Sequence, residues 1–120
     1  PRTLLLPLRG RYLETKKDGG ILNDPMSVKI IDSIDHDFSE RELPWDGQIL
    51  ISARTKILDD ATEKFLAENP DSIVVNLGCG LDTRFHRLVN GKVRWYDLDL
   101  CESIDLRRNF FEQTDRYKFL

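Results

Sequence analysis

The sequence predicts an α/β protein in which N-terminal helices precede the first half of a doubly wound parallel sheet. Two observations carry this prediction. Apolar residues follow a helical period up to Pro70, and near residue 72 they change to short β-branched runs of the kind found in buried strands. From there strand and helix segments alternate, which favours right-handed parallel crossovers. We therefore divide the chain into a helical region, residues 1–70, and the start of a parallel sheet, residues 71–120.

Composition and charge narrow the range of partners. The 120 residues are 40% hydrophobic and 32% charged, with a formal net charge of −3. Acidic and basic residues interleave without the basic stripe that neutralises a phosphate backbone, so we expect no nucleic-acid partner. The apolar runs fall short of the roughly 20 residues that span a membrane, and the opening segment lacks a signal peptide's pattern. We therefore expect a cytoplasmic protein that makes no membrane contact.

Three helices are predicted in the first region. The first has Pro7 in its opening turn and is broken by residues 16–20. The second begins with Asp24 as its cap and Pro25 at the first helical position. The third runs from about residue 47 to residue 68. The faces predicted to be buried are Leu5, Leu8, Tyr12 and Leu13 in the first helix, Ile30, Ile31 and Ile34 in the second, and Leu50, Ala53, Ile57, Leu58, Ala61 and Phe65 in the third.

Arg54 falls within the apolar face of the third helix. A buried guanidinium needs an anion, because its charge is costly away from water. Two interpretations remain open: the anion is the carboxylate of a bound ligand, or Arg54 forms a structural ion pair or extends to solvent.

The second region alternates strands with short helices. Strands are predicted over 72–77, 93–99 and from 117 onward, with helices over about 82–89 and 103–111. The first strand is almost continuously apolar, so we expect both of its faces to be covered. A sheet of two or three strands would leave this strand with an apolar edge, which proteins avoid. We therefore expect that edge to be covered by further chain or by a partner, which can be a second copy of this chain.

A glycine turn and an acidic strand end carry the predicted chemistry. Gly78 and Gly80 lie where the first strand meets the following helix, the place where doubly wound folds bring their backbone close to a ligand. Asp99 follows Gly78 by 21 residues, close to the spacing at which an acidic residue accepts ribose hydroxyls. Asp97 shares a strand face with Asp99, so one of the two is expected to contact the ribose and the other to support it. Glycines and strand-end aspartates also occur for purely structural reasons.

The residue at position 83 distinguishes between ligands. A dinucleotide-binding turn would have a third glycine there, and this chain has Thr83. S-adenosyl-L-methionine has no phosphate and does not require the full cradle, so the sequence favours it as the cofactor. A nicotinamide-cofactor oxidoreductase domain remains an alternative, as does a non-catalytic fragment that binds only a cofactor or a partner.

Residues 74–84 and 95–100 closely resemble the leucine carboxyl methyltransferase family, in particular its bacterial branch of polyketide O-methyltransferases of the tetracenomycin type. The resemblance extends through Asp24-Pro25 and residues 53–55, and covers essentially the whole chain. It implies a Rossmann-like class I methyltransferase fold, apparently truncated here, that uses S-adenosyl-L-methionine to methylate a carboxylate or hydroxyl of a small-molecule or carboxylate-bearing substrate. Members of the family run well past this length, and their later strands supply the substrate pocket.

The resemblance also implies which residues contact the cofactor, with Arg54 placed against its methionine carboxylate. Together with the strand-face argument, the predicted cofactor-binding residues are Lys17, Arg54, Gly78, Cys79, Gly80, Asp82, Asp97 and Asp99. The match at Lys17 is loose, since Lys16 fits equally well. Asp82 and Thr83 are also suitable helix caps. No catalytic residue is assigned, and we expect no metal, because His36, His86 and the two cysteines are not at ligand spacing.

Overall fold

The computed structural model describes residues 4–34 and 43–120. The elements are α1 (Leu5–Lys16), α2 (Pro25–Ser33), α3 (Trp45–Glu68), β1 (Ile73–Leu77), α4 (Arg84–Leu88), β2 (Arg94–Leu98), α5 (Cys101–Arg107) and β3 (Tyr117–Phe119). β1 pairs with β2 and β2 with β3, both in parallel. The predicted fold class and parallel sheet are therefore confirmed. His36, considered from the sequence as a metal ligand, lies outside the described residues.

The chain divides into two compact units, Pro1–Asp59 and Asp60–Leu120. The boundary predicted from the sequence lies later, after residue 70, just beyond the end of α3. Within the described residues, no helix combines the length and apolar content that a membrane crossing demands.

In the first unit, Asp24 joins α2 to α1. One of its carboxylate oxygens accepts the Ser27 backbone N–H at 3.2 Å, which caps α2 as the sequence predicted. The other oxygen accepts Nε of Arg11 at 2.9 Å, and both side chains are buried. The Asp24 N–H in turn donates to Oγ1 of Thr15 at 2.9 Å. A single aspartate thus caps one helix and fixes its position against the other.

Glu14, also on α1, is a second buried acid. Its oxygens accept the Ile21 backbone N–H at 3.1 Å and Nε2 of Gln48 at 3.0 Å, with Nζ of Lys17 3.8 Å away. The hydrogen bond from Gln48, more than the burial that opposes it, keeps the pKa of Glu14 below its ordinary value of 4.5. At Gly10 a Cβ would lie only 3.0 Å from the Ile51 side chain, so α1 is closely packed there.

In the second unit the core lies on β2 and β3. Trp95, Tyr117 and Phe119 are buried, and the Phe85 ring stacks on the Tyr117 ring with centroids 3.9 Å apart. These large rings cover the middle of the sheet. The burial of Trp95 is favoured further because its indole N–H finds an acceptor in Asp97, at 3.0 Å.

The expectation that β1 is covered on both faces is wrong for the described chain. β1 is an edge strand, and the face formed by Ile73, Val75 and Leu77 is 54%, 53% and 72% exposed. The opposite face, with Val74 and Asn76, is half-buried. The alternation arises because the described residues pack against one face of the strand only.

The buried face predicted for α3 is also wrong. Leu50, Ile57, Leu58 and Phe65 are exposed, and the residues that α3 buries include Ser52, Thr55, Asp59 and Leu66. Arg54 lies on the exposed side. Burial therefore does not force an anion onto Arg54, because this guanidinium remains in contact with water.

Replacing Glu14 with Gln is predicted to lower the free energy of unfolding by about 1.5 to 3 kcal/mol at neutral pH, since hydrogen bonds to a buried charge are lost. Because the pKa of Glu14 is lowered by folding, this contribution is present above pH 4.5 and disappears as the pH falls through the lowered value. Urea unfolding of both chains between pH 3 and pH 7 measures it.

The matched control is Asp32→Asn, which removes an exposed acid from α2. Its effect is expected to be within about 0.5 kcal/mol at every pH. An equal loss in the two variants, or a Glu14→Gln loss that persists at the acid end, would contradict the assigned role of Glu14.

Candidate functional site

The ends of β1 and β2 lie side by side, with Leu77 paired to Leu98. The N–H groups of Gly78 and Cys79, directly after β1, both donate to the Leu98 carbonyl, at 2.8 and 3.2 Å. These two hydrogen bonds hold the turn against the end of β2, next to Asp99. This is the edge of a parallel sheet at which doubly wound folds bind their ligands.

Asp99 contacts the glycine turn directly. Its Oδ2 accepts the Gly80 N–H at 2.7 Å, and its Oδ1 accepts the N–H of Leu100 at 2.7 Å. Each carboxylate oxygen can accept two hydrogen bonds, so each has capacity for one further donor. Asp99 is half-buried, so its carboxylate is held in one orientation without being sealed from a ligand.

The two glycines serve the turn differently. Gly78 has φ +63° and Gly80 has φ +47°, both in the left-handed region that favours glycine. Gly78 is exposed, and a Cβ placed on it would meet nothing within 4 Å. Gly80 is buried, with its N–H on Asp99. A ligand can therefore approach the backbone closely at Gly78, while Gly80 fixes the turn to the carboxylate.

The amide groups of this turn are already used. The N–H groups of Gly78, Cys79 and Gly80 all donate to protein acceptors, and the Asp82 N–H donates to the Cys79 carbonyl at 2.8 Å. A phosphate-binding turn needs several such donors directed at the ligand. The turn does not offer them, so it suits a ligand that brings hydroxyl donors better than one that brings a pyrophosphate.

Asp97 is fully buried below this edge. Its Oδ1 accepts Nδ2 of Asn76 and the indole N–H of Trp95, each at 3.0 Å. Its Oδ2 accepts Nη2 of Arg107 at 2.5 Å and the Tyr117 hydroxyl at 2.6 Å. Four donors fill the capacity of a carboxylate. Of the two alternatives that the sequence left open for this residue, the geometry favours the supporting one.

Arg107, the last residue of α5, was not singled out from the sequence. Its side chain is 1% exposed, and besides Asp97 it donates to the Gly80 carbonyl at 3.0 Å and to the Tyr117 hydroxyl. Burial opposes its charge, but the Asp97 carboxylate raises the pKa of Arg107 above its usual value. A signal was present: Arg107 follows the buried Ile104 by three residues, so both lie on one face of the helix.

Asp82 and Cys79 are engaged by the protein. Asp82 accepts the Arg84 backbone N–H at 3.2 Å, pairs with the Arg84 guanidinium at 3.0 Å and accepts Nδ2 of Asn76 at 3.0 Å. The first of these contacts joins Asp82 to the first residue of α4, while the N-cap position itself is Thr83, whose side chain makes no capping hydrogen bond. Burial raises the pKa of the Cys79 thiol to about 12, so the thiol is protonated at neutral pH and is a poor nucleophile.

Arg54 and Lys17 belong to the first unit. Arg54 is exposed on α3, and Lys17 follows α1 with its Nζ 3.8 Å from Glu14. Their roles as cofactor contacts stay predictions, and removing the charge of Arg54 without loss of cofactor affinity would reject the role assigned to it. Among the ranges 4–34 and 43–120, no cluster of His, Cys, Asp and Glu has the geometry to hold a metal ion.

The two cysteines are predicted to react with iodoacetamide at very different rates. Cys101 is exposed and Cys79 is buried with a raised pKa, so mass spectrometry of the folded chain at pH 8 should find Cys101 modified first. Cys79 should follow only when denaturant opens the unit. Equal rates in the folded chain would show that the turn around Cys79 is open to solvent.

The sequence of this chain is similar to those of known proteins. Residues 5–116 match the leucine carboxyl methyltransferase family. The tetracenomycin polyketide synthesis O-methyltransferase TcmP of Streptomyces glaucescens is 33% identical over 119 residues, or 98% of this chain and 44% of that protein. The S-adenosyl-L-methionine-dependent methyltransferase dpfgK of Gibberella zeae is 31% identical over 121 residues, covering 92% of this chain and 41% of its own length.

The chain thus spans less than half the length of either curated relative. The match to the family covers residues 5–116, a range that includes both the glycine turn and Asp99. The chain therefore belongs to the leucine carboxyl methyltransferase family.

Proposed function

We propose that this chain binds S-adenosyl-L-methionine through the turn Gly78–Gly80 and Asp99, as the cofactor-binding part of an O-methyltransferase. The 2.7 Å hydrogen bond from the Gly80 N–H to Asp99 carries the proposal, because it joins the two features that an adenosyl group requires. Those features are a backbone that a ligand can approach closely and a carboxylate for the ribose hydroxyls. Family membership supports the choice of cofactor.

The donors and acceptors of the site fit an adenosyl group better than a dinucleotide. Within the part of the chain that the structure describes, each Asp99 oxygen accepts one hydrogen bond and can accept a second, which suits the two hydroxyls of a ribose. The amides of the turn are used within the protein, which leaves a pyrophosphate without its usual donors. This argues against the nicotinamide-cofactor alternative.

The chain's contribution to methyl transfer is orientation. When bound, S-adenosyl-L-methionine would supply a methyl group on a positively charged sulfur. An acceptor oxygen would attack the methyl carbon in line with the carbon–sulfur bond, and this bond would break to leave S-adenosylhomocysteine. Holding both reactants in a reactive geometry can contribute on the order of 7 to 11 kcal/mol to such a reaction. Asp99 and the turn would supply the adenosyl end of that hold. A carboxylate acceptor needs no general base and a hydroxyl acceptor needs one, which we assign to no residue of this chain.

The acceptor is proposed to be a small molecule that presents a carboxylate or a hydroxyl. The relatives support this class, since one of them is a tetracenomycin polyketide synthesis O-methyltransferase. A cytoplasmic location would suit such an enzyme. Self-association along the exposed edge of β1 stays a prediction.

Calorimetry with S-adenosylhomocysteine tests the proposal on the 120-residue chain. The unchanged chain is expected to bind this product of methyl transfer and to give no heat with NAD. Asp99→Asn is predicted to weaken binding by roughly 10- to 100-fold, because hydrogen bonds to a charged acceptor contribute about 1.5 to 3 kcal/mol.

The control for Asp99 is Asp105→Asn, which removes an exposed acid from α5, outside the site. It is expected to leave the affinity unchanged. Binding of NAD in place of S-adenosylhomocysteine, or equal losses in the two variants, would overturn the assignment of this edge to an adenosyl group.

A further inference from the structure

Arg107 joins the interior of the second unit to the glycine turn. Its guanidinium lies over the Phe111 ring at 4.1 Å and near the Phe119 ring at 5.3 Å. Nη1 donates to the Gly80 carbonyl at 3.0 Å, and Nη2 donates to Asp97 at 2.5 Å. The planar guanidinium is therefore held against rings, and its two terminal nitrogens donate to different acceptors, Nη1 to the glycine turn and Nη2 to Asp97 and the Tyr117 hydroxyl.

Gly80 is tied on both sides. Its N–H donates to Asp99, and its carbonyl accepts Arg107. At φ +47° this glycine occupies a conformation with no side chain to stabilise it, so its two peptide groups are oriented by these partners. Releasing the carbonyl would leave the peptide that follows Gly80 free to rotate. The Cα of Gly80, which this peptide shares with the preceding one, would then be held less firmly, and so would the N–H that orients Asp99.

Asp97 makes this arrangement stable. A buried guanidinium requires a counter-charge, and Asp97, fully buried, supplies it. Asn76, Trp95 and Tyr117 fill the remaining acceptor positions of Asp97, which fixes the carboxylate and in turn the guanidinium. Asp97 and Arg107 together form a rigid support that reaches Gly80 from the interior.

We propose that Arg107 is a positioning residue for the cofactor site: by holding the Gly80 carbonyl, it keeps the Gly80 N–H on Asp99 and sets the carboxylate for the ribose hydroxyls. The inference rests on the proposed function for the identity of the ligand, but its geometric part concerns Gly80 alone. A lysine at this position would preserve the charge beside Asp97. It would lack the fork that reaches two acceptors at once.

The test compares three single variants by S-adenosylhomocysteine calorimetry, urea unfolding and amide hydrogen exchange without ligand. Arg107→Lys is expected to bind about tenfold more weakly and to expose the Gly80 amide to faster exchange. Arg108→Lys makes the same change at the adjacent exposed position and is expected to alter neither quantity. Tyr117→Phe removes a hydroxyl that contacts both Asp97 and Arg107 but not Gly80. It is expected to lower stability, and because the guanidinium keeps its hydrogen bonds to Asp97 and Gly80, to reduce affinity and Gly80 protection less than Arg107→Lys does.

Equal losses of affinity in Tyr117→Phe and Arg107→Lys, at similar losses of stability, would reduce Arg107 to a packing residue and overturn the proposal. Unchanged protection of Gly80 in Arg107→Lys would do the same. If the unchanged chain binds no S-adenosylhomocysteine, the proposed function fails, and the ligand-free exchange of Gly80 still decides whether Arg107 positions the turn.

Discussion

A positive charge in the interior of a protein must be balanced, and in the second unit Asp97 balances Arg107. Nη2 of Arg107 lies 2.5 Å from Oδ2 of Asp97, and both side chains are only 1% exposed. Because Asp97 is on β2, Arg107 ends α5 and Tyr117 begins β3, the charge pair joins three elements that follow one another in the chain. Arg107 also donates a hydrogen bond to the Gly80 carbonyl. The charge pair that fixes the core therefore also fixes the turn at the proposed site.

This constraint explains why two aspartates two residues apart have different surroundings. Side chains at that spacing share a strand face, but Asp97 is within the strand and buried, whereas Asp99 follows the strand and is half-buried. The first carboxylate accepts four protein donors and is saturated. The second accepts two backbone N–H groups and can still accept more. One acid therefore holds the structure and the neighbouring acid is free to contact a ligand.

The sequence predicted those features that depend on local chemistry. Among the described residues, the sequence pattern located each helix and strand to within a few residues, Asp24-Pro25 marked the start of α2, and the two glycines marked the turn. Burial was predicted less well, because it depends on what packs against an element. The apolar faces of α3 and β1 are exposed in the described residues, and no property of their own residues shows what covers them.

The two arginines illustrate the same limit. The rule that a guanidinium on an apolar helix face needs an anion is sound, but it was applied to Arg54, which is exposed. Arg107 satisfies it instead, three residues after the buried Ile104. The helical period of apolar residues could not distinguish the two arginines, because it shows which residues share a face of a helix but not which face is buried.

The central claim is that the glycine turn and Asp99 bind an adenosyl group together. Backbone amide chemical shifts, recorded by NMR as S-adenosylhomocysteine is added to the isotopically labelled chain, test it most directly. The account predicts that, within the second unit, the largest changes fall on the amides of Gly78, Gly80 and Leu100, since the N–H groups of the last two donate to Asp99. Saturable binding that leaves these amides unmoved while others shift would place the ligand elsewhere and contradict the account.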